Sequence, residues 1–153
     1  MNFYQNKTIL ITGASSGIGL EFANQLNEFG AKLIITARNK DKLNELAANY
    51  HSAVVIPGDL SDEFFPFQLH KEIHFKGLEV DILINNAGFG SIGKLLKSDL
   101  ETYESMVQVN ITALTLICHL FISDMAIKGE GGIINVASVA AFQPVPYMNV
   151  YSA

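Results

Sequence analysis

Short runs of β-branched and aliphatic residues alternate along this chain with longer stretches whose apolar positions recur every three or four residues. Thr8-Ile9-Leu10-Ile11-Thr12 is the first run, and it stops at Gly13. Ile18, Phe22, Leu26 and Phe29 then follow at helical spacing, which predicts a helix over 17–29 closed by Gly30. The pattern repeats with a strand over 33–37, a charged helix over 41–50, and a strand over 53–56 closed by Pro57 and Gly58. A helix over 61–74 carries Pro66, which fits only a first turn. A fourth strand over 80–85, helix over 99–128 (two in succession) and a fifth strand over 133–136 complete the series. The strands are near-continuous hydrophobic runs, as in a parallel sheet buried on both faces. Crossovers of this length imply right-handed βαβ units, hence a Rossmann-type doubly wound α/β sheet of about five strands. Ligands of such sheets lie outside the carboxyl ends of the strands.

Composition narrows the picture. A chain of 153 residues, 49% hydrophobic and 16% charged, fits one domain with a proper core and excludes a disordered chain. The net charge of −5 and a pI near 5.2 argue against a nucleic-acid or anionic-membrane surface. A single cysteine, Cys118, excludes an internal disulfide and suits a reducing compartment, so a cytoplasmic location is expected. Residues 1–10 include Gln5, Asn6 and Lys7 and no apolar core, so no signal peptide is expected. The apolar stretch 111–127 is interrupted by Thr112, Thr115, His119, Ser123 and Asp124. It reads as a buried or subunit-contacting helix rather than a membrane span.

The residues just past each strand carry the candidate chemistry. After the first strand, Gly13, Gly17 and Gly19 run G-x-x-x-G-x-G. Gly13 permits a sharp turn, Gly17 lets backbone approach a pyrophosphate, and Gly19 lets the helix pack close to the strand. The helix start, with Ser15, Ser16 and Ile18, offers N–H groups, hydroxyls and a positive dipole end to phosphates. After the second strand stands Arg38, with no carboxylate until Asp41. A guanidinium there suits a 2′-phosphate and favours NADP over NAD; the alternative is a solvated surface arginine. Asp59 and Leu60 follow the third strand where an adenine would lie, or Asp59 and Ser61 cap the next helix. Asn85-Asn86-Ala87-Gly88 after the fourth strand is a polar turn that a flat ring can approach. Ser138 follows the fifth strand, and Tyr151 comes thirteen residues later. A phenol can exchange a proton with a carbonyl or carbinol oxygen once something lowers its pKa.

Together, Thr12-Gly13-x-x-x-Gly17-Ile18-Gly19, Asn85-Asn86-Ala87-Gly88, Asn110, Ser138 and Tyr151 resemble the short-chain dehydrogenase/reductase family in order and spacing. The resemblance implies an oxidoreductase that moves hydride between a nicotinamide cofactor and a small carbonyl or alcohol substrate. It implies Tyr151 as general acid/base beside the cofactor and Ser138 as holder of the substrate oxygen. Asn110 would support a proton-relay water by distorting its helix. Asn85, Ala87 and Gly88 would border the adenosine, and Asp59 and Leu60 the adenine. A homo-oligomer of the full-length form is expected through the 114–127 helix.

The family's tyrosine opens Tyr-x-x-x-Lys, whereas here Tyr151-Ser152-Ala153 is the last of the sequence. The expectation is therefore a single Rossmann domain over 1–153, incomplete at its C-terminus and lacking later strands, in a chain of weak or no activity. The alternative is a non-catalytic short form that binds nucleotide or a partner. No metal is expected. His70-x-x-x-His74 has ligand spacing, but no third ligand is evident, and Lys71, Glu72 and Lys76 surround it as on a solvated helix face.

Overall fold

The computed structural model describes residues 2–153; Met1, the first residue of the segment read as lacking a leader, lies outside them. Five parallel strands form one sheet in the order β3-β2-β1-β4-β5. They are β1 (Thr8–Thr12), β2 (Lys32–Thr36), β3 (Ala53–Val55), β4 (Ile82–Asn85) and β5 (Gly132–Asn135). The order reverses between β1 and β4, the switch point at which a doubly wound sheet opens a crevice. The Rossmann-type architecture read from the hydrophobic pattern is therefore the observed one.

Strand residues alternate between two cores. Ile9, Ile11, Leu33, Ile35, Ile82 and Ile84 face one side. There they meet Ala23 and Leu26 of α1 (Gly17–Glu28) and Leu43 of α2 (Lys40–Ala48). Leu10, Ile34 and Leu83 face the other side. They meet Leu69 and Ile73 of α3 (Phe65–Phe75) and Ile117, Phe121 and Met125 of α5 (Leu114–Lys128). Both faces of the sheet are covered, which is why the strand sequences lack polar alternation.

Boundaries moved where local hydrogen bonding outcompeted periodicity. The helix expected over 61–74 begins at Phe65. Before it, Asp59 Oδ1 accepts the Ser61 N–H at 2.9 Å and Asp62 Oδ1 accepts the Phe64 N–H at 2.9 Å. These side-chain turns hold the chain out of the helix, and Pro66 then falls in its first turn. Asp59 and Ser61 therefore do not cap α3; its N-cap is Phe64. The helix expected over 99–128 is α4 (Leu100–Val107), a π-helical segment (Gln108–Ala113) and α5, without a break. This stretch, Leu100–Lys128, has the length and apolarity of a membrane span. Here its buried residues Val109, Ala113, Ile117, Phe121 and Met125 share one core with the sheet and α3.

The same packing corrects the reading of the histidine pair. α3 lies along α5, and Asp124 of α5 reaches both His70 and His74. A third donor is present, from a helix fifty residues further on that the spacing on α3 could not reveal.

At the opposite end of the sheet from the crevice, Asp81 ties three elements together. Its Oδ2 accepts the Thr8 N–H at 2.8 Å, and its Oδ1 meets Lys128 Nζ at 2.6 Å at the end of α5. Burial pushes the Asp81 carboxyl up, but the hydrogen bonds from Lys128 and Thr8 and the charges of Lys128 and Lys7 outweigh it. The net result is a pKa below the ordinary 3.8. Asp81→Asn is expected to cost about 1.5–3 kcal/mol, read by urea denaturation at pH 7. Because the folded pKa is depressed, Asp81's contribution is present above pH 3.8 and is lost as pH falls through the folded value. Wild-type stability should thus drop more steeply than that of the variant below pH 3.8.

Candidate functional site

The crevice is set by a bracket between the ends of β1 and β4. Thr12, 1% exposed, accepts the N–H groups of Asn86 and Ala87 on its hydroxyl, each at 3.0 Å. Asn86 returns its amide Nδ2 to the Thr12 and Gly13 carbonyls at 3.0 and 3.3 Å. Two glycines make this approach possible. Gly13 has φ +69°, and a Cβ there would stand 2.9 Å from Ala87 Cα. A Cβ on Gly19 would run into the Asn86 amide and the Gly13 carbonyl. In the sequence Thr12 and Asn86 stand only as members of their motifs. Their signal was a polar residue ending one buried strand and another following the fourth, and only the strand order shows that the two are neighbours.

The cleft above this bracket has a volume of about 900 Å³. It gathers Gly13, Ser15, Ser16, Gly17 and Ile18 from the first turn, Arg38 after β2, and Asp59 and Leu60 after β3. Ala87 and Gly88 after β4, Asn110 in the π-helical segment, Ser138 after β5, and Tyr151 line it as well. Fold topology thus converges residues spread over most of the sequence. Two expected cofactor residues do not line it. Gly19 is buried in the seam between α1 and the strands. Asn85, 3% exposed, ends β4 with its Nδ2 donating to Asn135 Oδ1 at 2.9 Å and to Cys118 Sγ at 3.1 Å. Asn85 therefore does not border an adenosine directly; it ties β4 to β5 beneath the crevice, and Asn86 faces the cleft in its place.

The end of the cleft beside α1 is built from backbone. Gly17 has φ +57°, and a Cβ there would meet nothing within 4 Å, so the space in front of it is open. Ser16 is the N-cap of α1, yet its side chain makes no capping bond, and the first helical turn holds no acidic residue. The N–H groups and positive end of a twelve-residue helix therefore face the cleft without a resident anion. Arg38 is exposed, is the only basic side chain among the lining residues, and makes no ion pair among the described residues.

The other end is held by Asn110. Its Oδ1 accepts the Phe89 N–H at 3.1 Å and its Nδ2 donates to the Phe89 carbonyl at 2.9 Å. The helix around it is widened into π form, the distortion expected there. Ser138 Oγ accepts the Ala140 N–H at 3.2 Å, which starts a 3₁₀ turn and fixes the hydroxyl at the rim. Tyr151 lies across Gly90, where a Cβ would come within 3.0 Å of its ring. The loop before it is pinned by the Gly93 N–H to the Tyr147 carbonyl at 2.8 Å, with Tyr147 at φ +68°.

A glycine-turn nucleotide crevice with a serine and a tyrosine at its far rim is the layout of a short-chain oxidoreductase. The model of the short chain dehydrogenase family matches residues 7–153, and the chain belongs to that family. An uncharacterized oxidoreductase of Staphylococcus aureus (strain N315) is 35% identical over all of this chain and 67% of that relative. The chain thus spans about two thirds of the length of the curated relatives it matches. L-sorbose reductase from Gluconobacter frateurii, solved with NADPH and L-sorbose, superposes with a TM-score of 0.90 at 28% identity. That match covers 99% of this chain and 60% of the reductase. A short-chain dehydrogenase from Sphingobium yanoikuyae, solved with NADPH, gives 0.89 at 32% identity over 95% of this chain and 59% of its own.

Two glycines at the start of α1, Gly17 exposed and Gly19 buried, should respond differently to alanine. Gly19→Ala is expected to destabilise the fold by about 1–3 kcal/mol through overpacking against Asn86. Gly17→Ala costs about 1–2 kcal/mol for a left-handed alanine but clashes with nothing. Its protein should remain folded with weakened dinucleotide affinity, measured by circular dichroism and by nucleotide titration.

Proposed function

We propose that the cleft holds NADP and serves transfer of hydride between that cofactor and a small carbonyl or alcohol. The observation that carries the cofactor choice is Arg38, a free guanidinium at the β2 exit with no carboxylate before Asp41. The residues present fit a dinucleotide: the open face at Gly17, the uncommitted Ser16 hydroxyl and the N-terminus of α1, which no side chain caps, suit its pyrophosphate. The NADPH in the two solved relatives supports the same reading.

When bound, the nicotinamide supplies or accepts the hydride. Ser15, Ser16 and the N–H groups of α1 would hold the phosphates, and Arg38 would hold the 2′-phosphate. Asp59 and Leu60 would border the adenine, with Ala87 and Gly88 beside the adenosine. Ser138, its Oγ steadied by Ala140, would hold the substrate oxygen by a hydrogen bond. Tyr151 would give that oxygen a proton in reduction and take one in oxidation. Asn110 would keep the Phe89 loop in place and the helix wide enough for a relay water. Phe89, Ile92, Phe142, Val145 and Met148 near the Tyr151 end favour an apolar or mixed substrate. Ile111, Ile122 and Ile127, exposed on the helix, favour a homo-oligomer of the full-length form, and the single cysteine favours a cytoplasmic setting.

Titration of the chain with NADPH and NADH by calorimetry tests the reading. NADPH should bind at least about tenfold more tightly, and Arg38→Ala should remove that preference while leaving NADH unchanged. Equal affinities in wild type would overturn it. The lysine of Tyr-x-x-x-Lys has no counterpart within these 153 residues, so binding with little carbonyl reduction is expected. Turnover comparable to that of a complete reductase would contradict that expectation.

A further inference from the structure

We infer that His70, His74 and Asp124 form a binding site for a borderline divalent transition-metal ion, zinc being the first choice, that staples α3 to α5. His70 Nε2 and His74 Nε2 lie 2.8 and 2.9 Å from the same Asp124 oxygen, Oδ2, and 3.1 Å from each other. All three donor atoms lie within 4.8 Å of one another. None of the three residues lines the nucleotide cleft.

The sequence places the pair where a metal needs it. An i, i+4 spacing sets two imidazoles on one face of α3, one turn apart. His70 packs edge-on against Phe121, with ring centroids 5.1 Å apart at 76°, which orients its nitrogen along α5. Asp124 stands three residues beyond Phe121, on the same face of α5.

Protons alone satisfy this triangle poorly. If both Nε2 atoms carry hydrogen, both can donate to Oδ2, but two N–H groups then face each other at 3.1 Å. If one Nε2 is bare, it accepts from the other, and its lone pair then faces the carboxylate. A cation at the centre makes all three contacts attractive. Tetrahedral zinc, with ligand bonds of about 2.0–2.2 Å, separates its donors by roughly 3.3–3.6 Å. The two nitrogen–oxygen edges would open by roughly half an ångström or slightly more, and the nitrogen–nitrogen edge by less. Coordination through Nε2 would leave each ring proton on Nδ1.

The surroundings suit an ion that arrives from solvent. Side-chain exposure is 22% for His70, 49% for His74 and 35% for Asp124, so a fourth position is open to water. Lys76 on α3 is drawn to Glu72 at 3.4 Å, which partly offsets its charge. Two nitrogens and one carboxylate oxygen select zinc, cobalt or nickel over magnesium or calcium, which prefer oxygen sets.

The test uses the 153-residue chain without a histidine tag, stripped with EDTA and titrated with Zn²⁺, Co²⁺ and Mg²⁺. One Zn²⁺ per chain is expected, with a rise in Tm, and Co²⁺ should give the visible absorption of a low-coordinate site. Mg²⁺ should do neither. His74→Ala, at the most exposed position, should fold and weaken Zn²⁺ binding at least about tenfold, as should Asp124→Asn. The double variant His51→Ala/His119→Ala, which removes the other two histidines, should bind as wild type. No Tm shift with millimolar Zn²⁺, or undiminished binding by His74→Ala, would overturn the site.

Discussion

The hydroxyl of Thr12 accepts two backbone N–H groups from the turn after β4, and Asn86 answers with its amide to the backbone of the turn after β1. The site depends on this closed exchange. The β1–β4 ladder ends at Ile11 and Ile84, and beyond it the two connections leave for opposite faces, so the spacing of the turns rests on contacts between them. The bracket sets that spacing with four part-buried hydrogen bonds, each costly to lose. Gly13 and Gly19 are the steric conditions for it, since a methyl at either would occupy the space of Asn86 or Ala87.

From that fixed seam the cleft divides into ends with different chemistry. At one end stand the backbone N–H groups of the α1 start, a serine that makes no capping bond and the cleft's one guanidinium. At the other, Ser138 and Tyr151 share a rim whose loops are held by Asn110 and by Gly93. The π-helical segment belongs to this end. Widening the helix at 108–113 lets Asn110 reach Phe89 with both amide atoms while Val109 and Ala113 stay in the core. One irregular turn thus joins core packing to the rim that carries Ser138 and Tyr151.

The lower half of the molecule has its own fastenings. Asp81 gathers β1, β4 and the end of α5, and the His70–His74–Asp124 triangle fastens α3 to the same helix. α5 is therefore held at its far end by charge and in its middle by Ile117 and Phe121, while its start continues into the segment that carries Asn110. Alignment of that helix reaches the cleft through continuous backbone rather than through side-chain relays.

Sequence by itself determined the fold class, because period-two burial on both faces leaves an unbroken apolar run that only a covered parallel sheet requires. It also determined most of the cleft, because glycines and short polar residues directly after strands have few other reasons to be there. Tertiary structure decided what depends on neighbours far apart in the chain. It moved the start of α3 to Phe65, where side-chain turns at Asp59 and Asp62 compete with the helix. It took Asn85 out of the cleft and put Asn86 in, since alternate residues at a strand end point to opposite sides. It also gave the histidine pair a carboxylate partner from a helix fifty residues away, a pairing set by how α3 and α5 pack and invisible to any spacing on α3.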